Sequence, residues 1–316
     1  MIFTELIVFI SAFVVLSYAG SLLVRSLTHM SKLLGLSEYL VAFVLMSIAT
    51  SVPELFIGLS SSLQNTPSIS LGNVLGTNLI NLTLIIGVVA VFSKGITIES
   101  KISHQNFLLI FFIAFLPILL ATDGVISRGD GLLLLLFFSL YIFRLLSEKE
   151  YFKKRFNEIT FDPASILSVF KHARTFLWGV ALLILSSFAI IWSSKGIAEG
   201  LDVSLLFFGI IFVALGTALP ELIFGIKASF MKHPSMMLGN SLGSIAFNAT
   251  FIVGSVALLS PIRVDFDNGL FLISAFLFIS FLMFNVFSYS RSKISRREGI
   301  VLLLLYVAFL LFGFLS

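Results

Sequence analysis

The sequence contains no cysteine and few charged residues. Without cysteine, the chain has no disulfide framework, no thiolate metal site and no cysteine nucleophile. Charged residues make up 11% of its 316 residues, against about 25% in an ordinary soluble domain. Hydrophobic residues make up 58%, and the mean hydropathy is +1.10. Because so little polar surface is available, the composition excludes a soluble enzyme and a nucleic-acid-binding protein, and it indicates a polytopic membrane protein.

Ten apolar segments follow one another along the chain. A helix that crosses a bilayer takes about 20 residues, so each segment predicts one span. The predicted spans are 2–24, 38–62, 69–93, 104–122, 131–147, 172–194, 204–231, 236–260, 268–290 and 299–315. The first segment lacks a basic start and an A-x-A cleavage site, so we interpret it as a retained span. The predicted fold class is therefore an all-α polytopic membrane protein with ten transmembrane helices.

The basic residues are divided unevenly between the two sides that ten spans define. Seventeen Lys and Arg residues fall on one side, and the other side has Arg128, Lys195 and Arg263. The positive-inside rule places the richer side in the cytoplasm and both termini outside. We expect the lipid bilayer of the plasma membrane as the location.

The chain contains an internal repeat. Residues 50–93 and 217–260 align without a gap, and 20 of the 44 positions are identical, including prolines, glycines, asparagines and a glutamate. Five spans separate the two copies, so they enter the membrane from opposite sides, as in the inverted repeats of many transporters. We predict a first five-helix repeat at 1–147 (motif 38–93), a cytoplasmic linker at 148–170 and a second five-helix repeat at 171–316 (motif 204–260).

Two glutamates occupy equivalent positions in the repeats. Glu54 and Glu221 are the only carboxylates that lie deep in apolar spans, and no Lys or Arg lies at mid-span to pair with them. A charge at that depth costs at least ~2.5 kcal/mol, which makes a functional role the first interpretation. Two carboxylates also neutralise one divalent cation.

Side-chain oxygens surround each glutamate at helical spacing. Near Glu54 the sequence places Ser47, Thr50 and Ser51, and the following span adds Thr77 and Asn81. The matching positions around Glu221 are Ala214, Thr217, Ala218, Ser244 and Asn248. Apart from the two alanines, these side chains offer oxygen rather than sulfur or imidazole, which suits a hard cation. The candidate cation-binding residues are Glu54, Glu221, Thr50, Thr217, Ser51, Thr77, Ser244, Asn81, Asn248 and Ser47, and Ala214 is the position that matches Ser47 in the second repeat.

Proline and glycine add to both motifs. Pro53 and Pro220 are expected to kink their helices and to free backbone carbonyls beside the carboxylates. Gly72-x-x-x-Gly76 and Gly239-x-x-x-Gly243 are interpreted as helix-packing positions. Asn73 and Asn240, which follow the first glycine of each motif, are interpreted as residues that bridge helices or line the path.

The motifs ATSVPE and GTALPE are each followed by LGN-x-x-G-[TS]-x-x-x-N. These motifs resemble the two alpha repeats of the calcium/cation antiporter superfamily, in particular its prokaryotic sodium/calcium exchanger branch. The resemblance implies electrogenic exchange of Na⁺ for Ca²⁺ through four central sites formed by ten helices. It implies that Glu54 and Glu221 bind both ions and that Thr50 and Thr217 contribute carbonyl and hydroxyl oxygens. It further implies that Ser51, Thr77 and the Ser47 carbonyl form an inner Na⁺ site. An outer Na⁺ site would be formed by Ala214 and Ser244, and the centre would be flanked by Asn81 and Asn248.

The sequence departs from the family pattern at two positions. Ala218 stands where the pattern has serine, which removes one hydroxyl from the outer Na⁺ site, and Asn248 stands where aspartate is often found. The threonines and prolines of the motifs still favour the sodium branch over the proton-coupled branch.

These observations predict a Na⁺/Ca²⁺ antiporter that works by alternating access, functions as a monomer and has no cofactor or nucleic-acid partner. Coupling to H⁺ is the alternative within the same class, because a buried glutamate can also carry a proton. A cation channel is more remote, since channels usually repeat around a symmetric pore. An intramembrane hydrolase is disfavoured, because the aligned segments 50–93 and 217–260 contain no histidine or aspartate except His233 at a turn.

Overall fold

A computed structural model describes residues 2–33, 47–97, 104–147, 163–230, 235–264, 268–291 and 293–315. Helices lie in all ten predicted spans within these ranges. Six of the described helices are long and apolar enough to cross a bilayer by themselves, and a further candidate span is a pair of helices that meet at 41°. The chain is an all-α polytopic membrane protein.

The first half of the chain contains seven α-helices, counted over the described residues. They are α1 (Ile2–Leu33), α2 (Ser47–Thr50), α3 (Val52–Leu63), α4 (Pro67–Ile80), α5 (Ile86–Phe92), α6 (His104–Leu120) and α7 (Arg128–Ser147). A π-helix, π1 (Asn81–Ile85), joins α4 to α5, and a 3-10 turn (Ala121–Asp123) follows α6.

The second half has a similar series of elements. Its α-helices in the described ranges are α8 (Pro163–Leu201), α9 (Leu205–Phe208), α10 (Ala214–Thr217), α11 (Leu219–Phe230), α12 (Ser235–Ala246), α13 (Val253–Leu259), α14 (Asn268–Arg291) and α15 (Arg296–Leu315). Two more π-helices, π2 (Gly209–Val213) and π3 (Phe247–Ile252), interrupt the seventh and eighth spans of the chain. Of the predicted linker, 148–162 lie outside the described residues, and α8 begins at Pro163.

Both glutamate-bearing spans are interrupted at equivalent residues. Ser51 (φ −88°, ψ 6°) separates α2 from α3, and Ala218 (φ −74°, ψ −3°) separates α10 from α11. Pro53 and Pro220 lie just beyond these breaks, where a proline can neither donate to the carbonyl four residues back nor pack against it. The predicted interruption next to each proline is confirmed, and in the seventh span the two helices meet at 41°.

The third and seventh spans approach each other at glycines. A side chain at Gly72 would overlap the carbonyl oxygen of Leu206, and one at Gly76 would overlap that of Ile210. From the other side, Gly209 faces the Ile69 carbonyl. Close backbone contact of this kind requires residues without Cβ, so the packing interpretation of Gly72 and Gly76 is confirmed. For Gly239 and Gly243 it stays a prediction.

Two short antiparallel ladders connect the halves of the chain. Strand β1 (Ile96–Thr97) pairs with β4 (Lys293–Ile294), and β2 (Val125–Ile126) pairs with β3 (Ile262–Arg263). Because β1 precedes α6 and β2 follows it, the ladders lie at opposite ends of that helix. Neither was predicted, since a two-residue strand is too short to show alternating hydrophobicity.

Candidate cation-binding site

The two glutamates lie in the first turns of α3 and α11, directly after the helix breaks. Both side chains have no solvent-exposed surface. Because the repeat is inverted, the two broken spans cross the membrane in opposite directions. Each span contributes one of these carboxylates, and both carboxylates lie in the same buried region. The other predicted site residues, from Ser47 to Asn248, are buried as well.

Each glutamate is faced by hydroxyl groups of the opposite repeat. The Thr217 hydroxyl and the Glu221 carboxylate influence Glu54 electrostatically, without a hydrogen bond to either Glu54 oxygen. Thr50 and Ser51 influence Glu221 in the same way, also without a hydrogen bond to its carboxylate oxygens. The site is therefore built across the repeat interface rather than within either repeat.

Hydrogen bonds join further predicted residues across this interface. The Ser244 hydroxyl donates to the Ser47 carbonyl oxygen at 3.3 Å. The hydroxyl oxygens of Thr77 and Thr217 are 3.4 Å apart. Thus the third and eighth spans of the chain each contact the broken span of the other repeat, a pairing between repeats that the sequence analysis did not predict.

Asn81 and Asn248 occupy a different position from these residues. Asn81 begins π1 and Asn248 lies in the first turn of π3. Both amides are buried, and their oxygen and nitrogen atoms make no hydrogen bond to any described residue. π-Helices are rare and often occur at functional sites. That Asn81 and Asn248 flank the centre stays a prediction.

The site contains an excess of unsatisfied oxygen. Five buried oxygen atoms have no hydrogen-bond partner among the described residues, namely both carboxylate oxygens of Glu54, both of Glu221 and the hydroxyl oxygen of Ser51. Buried polar atoms in native proteins are almost always satisfied, and unpaired buried carboxylates are especially unfavourable. A hard cation bound by these oxygens would supply the missing interactions.

The donor set differs from that of a resident metal centre. Over the described ranges, no group of three or more His, Cys, Asp or Glu side chains could hold a metal ion. The candidate site instead combines two carboxylates with hydroxyl, amide and carbonyl oxygens. Oxygen donors of these kinds are the ligands that hard cations prefer.

The two halves of the site are not equivalent. Ser51 places an unpartnered hydroxyl at the first helix break, whereas the equivalent Ala218 is buried and offers only a methyl group. The helix break forms at both positions, whether or not the residue carries a hydroxyl group. The hydroxyl that the sequence lacks at Ala218 is therefore also missing from this half of the site.

Asn73 and Asn240 contact the site more directly than sequence reasoning indicated. Thr217 donates to the Oδ1 atom of Asn73 at 2.9 Å, and Thr50 donates to Oδ1 of Asn240 at 3.3 Å. The sequence interpretation allowed these residues to bridge or to line the path without choosing a partner. The signal was the LGN triplet at the same place in both repeats.

Comparison with known proteins places these features in a family. The family described as "Sodium/calcium exchanger protein" matches residues 4–147 and 171–315. The sodium/calcium exchanger MaX1 of Methanosarcina acetivorans is 28% identical over 98% of each chain, and the inner membrane protein YrbG of Escherichia coli is 26% identical over 78% of each.

A solved structure has the same architecture. The sodium-calcium exchanger NCX_Mj, soaked with 100 mM Na⁺ and 10 mM Sr²⁺, aligns over 98% of each chain with a TM-score of 0.67 and 26% identity. This comparison and the two matched segments confirm the predicted fold class of ten transmembrane helices in two inverted five-helix repeats. They also confirm a transporter rather than an enzyme.

Proposed function

Because the chain belongs to the sodium/calcium exchanger family, we propose that it exchanges Na⁺ for Ca²⁺ across the membrane by alternating access. The observation that carries the proposal is the pair of fully buried, unpartnered carboxylates, one from each repeat. Two negative charges match one Ca²⁺ ion, and they also match Na⁺ ions that enter when Ca²⁺ has left.

Mutual exclusion follows from charge. With Glu54 and Glu221 neutralised by Ca²⁺, each further Na⁺ ion would add an uncompensated charge in a region of low dielectric constant. The same carboxylates therefore serve the two ions in turn, which is the requirement for an exchanger. Thr50, Thr217, Ser51, Thr77, Ser244, Asn81 and Asn248, with backbone oxygens of Ser47 and Ala214, complete the proposed ligand set.

The placement of the ligands also supports alternating access. Each glutamate faces hydroxyl groups from the other repeat, so a relative movement of the repeats changes the ligand set. In inverted-repeat transporters the substrate site lies at such an interface near the bilayer midplane. We further propose a plasma-membrane location with both termini outside, and a functional monomer.

Coupling to H⁺ is the second candidate, and Ala218 is the observation that favours it. The missing hydroxyl removes a Na⁺ ligand from one half of the site, while the unpartnered carboxylates remain available to protons. Transport experiments separate the two coupling ions.

The test uses the full chain reconstituted in lipid vesicles. An outward Na⁺ gradient at equal pH is expected to drive Ca²⁺ uptake, and a pH gradient without Na⁺ is expected to drive little. Uptake that follows the pH gradient and ignores Na⁺ would replace the proposal with H⁺ coupling. Ca²⁺ flux without any counter-ion requirement would indicate a channel.

A further inference from the structure

Each central threonine is hydrogen-bonded to an asparagine of the other repeat. Asn73 lies in α4 of the first repeat and accepts from Thr217, and Asn240 lies in α12 of the second and accepts from Thr50. Both asparagines are fully buried, and neither Nδ2 atom has a partner among the described residues. The arrangement occurs twice, related by the repeat, so it is not an accident of local packing.

A threonine hydroxyl in a helix normally donates its proton to a carbonyl of the preceding turn. That alternative is present here, because the Thr50 hydroxyl lies 3.3 Å from the Ser47 carbonyl oxygen and the Thr217 hydroxyl lies 3.3 Å from that of Ala214. A hydroxyl has one proton to donate and two lone pairs. Its choice of acceptor therefore sets the direction in which the lone pairs point.

Donation to the asparagine has two consequences for a cation. The single hydroxyl proton is donated to the asparagine and not to a carboxylate, so that a lone pair of the threonine oxygen is available to the ion. The backbone carbonyl of the preceding turn, which would otherwise accept this proton, also has one hydrogen bond fewer. For the Thr217 pair the distance to Asn73, at 2.9 Å, is clearly shorter than the distance to Ala214.

We propose that Asn73 and Asn240 are positioning residues, which orient Thr217 and Thr50 as cation ligands from across the repeat interface. This inference rests on the proposed function, since it presumes that the threonines bind the transported ion. Because the acceptor belongs to the opposite repeat, the ligand geometry is complete only while the two repeats are in this mutual arrangement. Ion affinity is thereby tied to the relative position of the repeats.

The test measures Ca²⁺ binding to the purified full chain by calorimetry. Asn73→Leu removes the acceptor, keeps the branched shape of the side chain and is expected to weaken Ca²⁺ binding about tenfold, the value of a hydrogen bond to one ligand. The matched control is Asn78→Ile, because Asn78 is an equally buried asparagine of the same helix without a hydrogen-bond partner among the described residues. Its counterpart in the second repeat is Ile245, and the affinity should change less than twofold.

A double-mutant cycle distinguishes positioning from a general loss of structure. In a Thr217→Val background, where no hydroxyl remains to be oriented, Asn73→Leu should have less than a twofold further effect. In a Thr217→Ser background, which restores a hydroxyl, the tenfold effect should return. The inference would be overturned if Asn73→Leu weakened Ca²⁺ binding tenfold in the valine background as well. It would also be overturned if Asn78→Ile weakened Ca²⁺ binding as much as Asn73→Leu does.

The second pair gives an independent reading if Asn73→Leu does not fold. Asn240→Leu with Thr50→Val and Thr50→Ser should show the same pattern with a smaller effect, because its hydrogen bond is longer. Absence of Ca²⁺ binding by the unaltered chain would overturn the proposed function and this inference together. Normal binding without coupling between asparagine and threonine would overturn this inference alone.

Discussion

Replacement of either buried glutamate by glutamine should have opposite effects on ion binding and on stability. Glu54→Gln and Glu221→Gln keep the shape of the side chain and remove its charge. Both carboxylates are fully buried, they lie close enough to repel each other, and none of their oxygens has a hydrogen-bond partner among the described residues. The ion-free protein should therefore tolerate the change, whereas the Ca²⁺-bound protein should not.

The magnitude follows from the burial. Removing one partner of a buried charge pair costs about 3–5 kcal/mol, which corresponds to a loss of Ca²⁺ affinity of roughly 100- to 5,000-fold. Without bound ion, the substitution removes a repulsion between two buried charges. The thermal midpoint of the ion-free variant should then equal or exceed that of the unaltered chain.

Thermal unfolding in detergent, with and without Ca²⁺, measures both effects. At a Ca²⁺ concentration of 100 times its dissociation constant, the unaltered chain should gain about 2.7 kcal/mol, and a variant that binds 100-fold more weakly should gain about 0.4 kcal/mol. Glu199→Gln is the control, because Glu199 is exposed. A glutamine variant that keeps the full Ca²⁺-induced shift, or normal Ca²⁺ flux, would refute the assignment of that glutamate to the site.

Three further predictions concern residues around the glutamates. Ala218→Ser places at the second break the hydroxyl that Ser51 has at the first. It should lower the Na⁺ concentration that half-maximally displaces Ca²⁺ by about threefold, and an unchanged value would contradict a cation ligand there. Gly76→Ala would overlap a backbone carbonyl of the facing helix and should cost about 1–3 kcal/mol in thermal unfolding, whereas Gly129→Ala, which meets only a hydroxyl at 3.5 Å, should cost little. Pro220→Ala restores a backbone donor at the bend. It should slow Na⁺-driven Ca²⁺ uptake without loss of folded protein, and an unchanged rate would show that the bend is not required for transport.

Much of the architecture could be predicted because the membrane imposes it. Apolar runs of sufficient length specify spans, and duplication made Glu54 and Glu221 stand out twice. The helix breaks at Ser51 and Ala218 were also predictable, because Pro53 and Pro220 lack the donor that a continuous helix needs.

Other features depend on contacts between distant parts of the chain. The partners of Asn73 and Asn240 are 144 and 190 residues away in sequence, so no local pattern specifies them. The ladders β1–β4 and β2–β3 each use two residues per strand, which is below the length at which alternation can be recognised. The π-helix that begins at Asn81 contains no proline or glycine that could have indicated it in the sequence.

The central claim is that one set of oxygens around Glu54 and Glu221 binds Ca²⁺ and Na⁺ in turn. Equilibrium binding of radioactive Ca²⁺ to the purified full chain, titrated with Na⁺ at constant ionic strength, tests it most directly. We predict that Na⁺ displaces all bound Ca²⁺ with a Hill coefficient above one, because more than one Na⁺ ion is needed to balance the two carboxylates. Ca²⁺ that remains bound at saturating Na⁺ would show that the two ions occupy separate sites and would contradict the account.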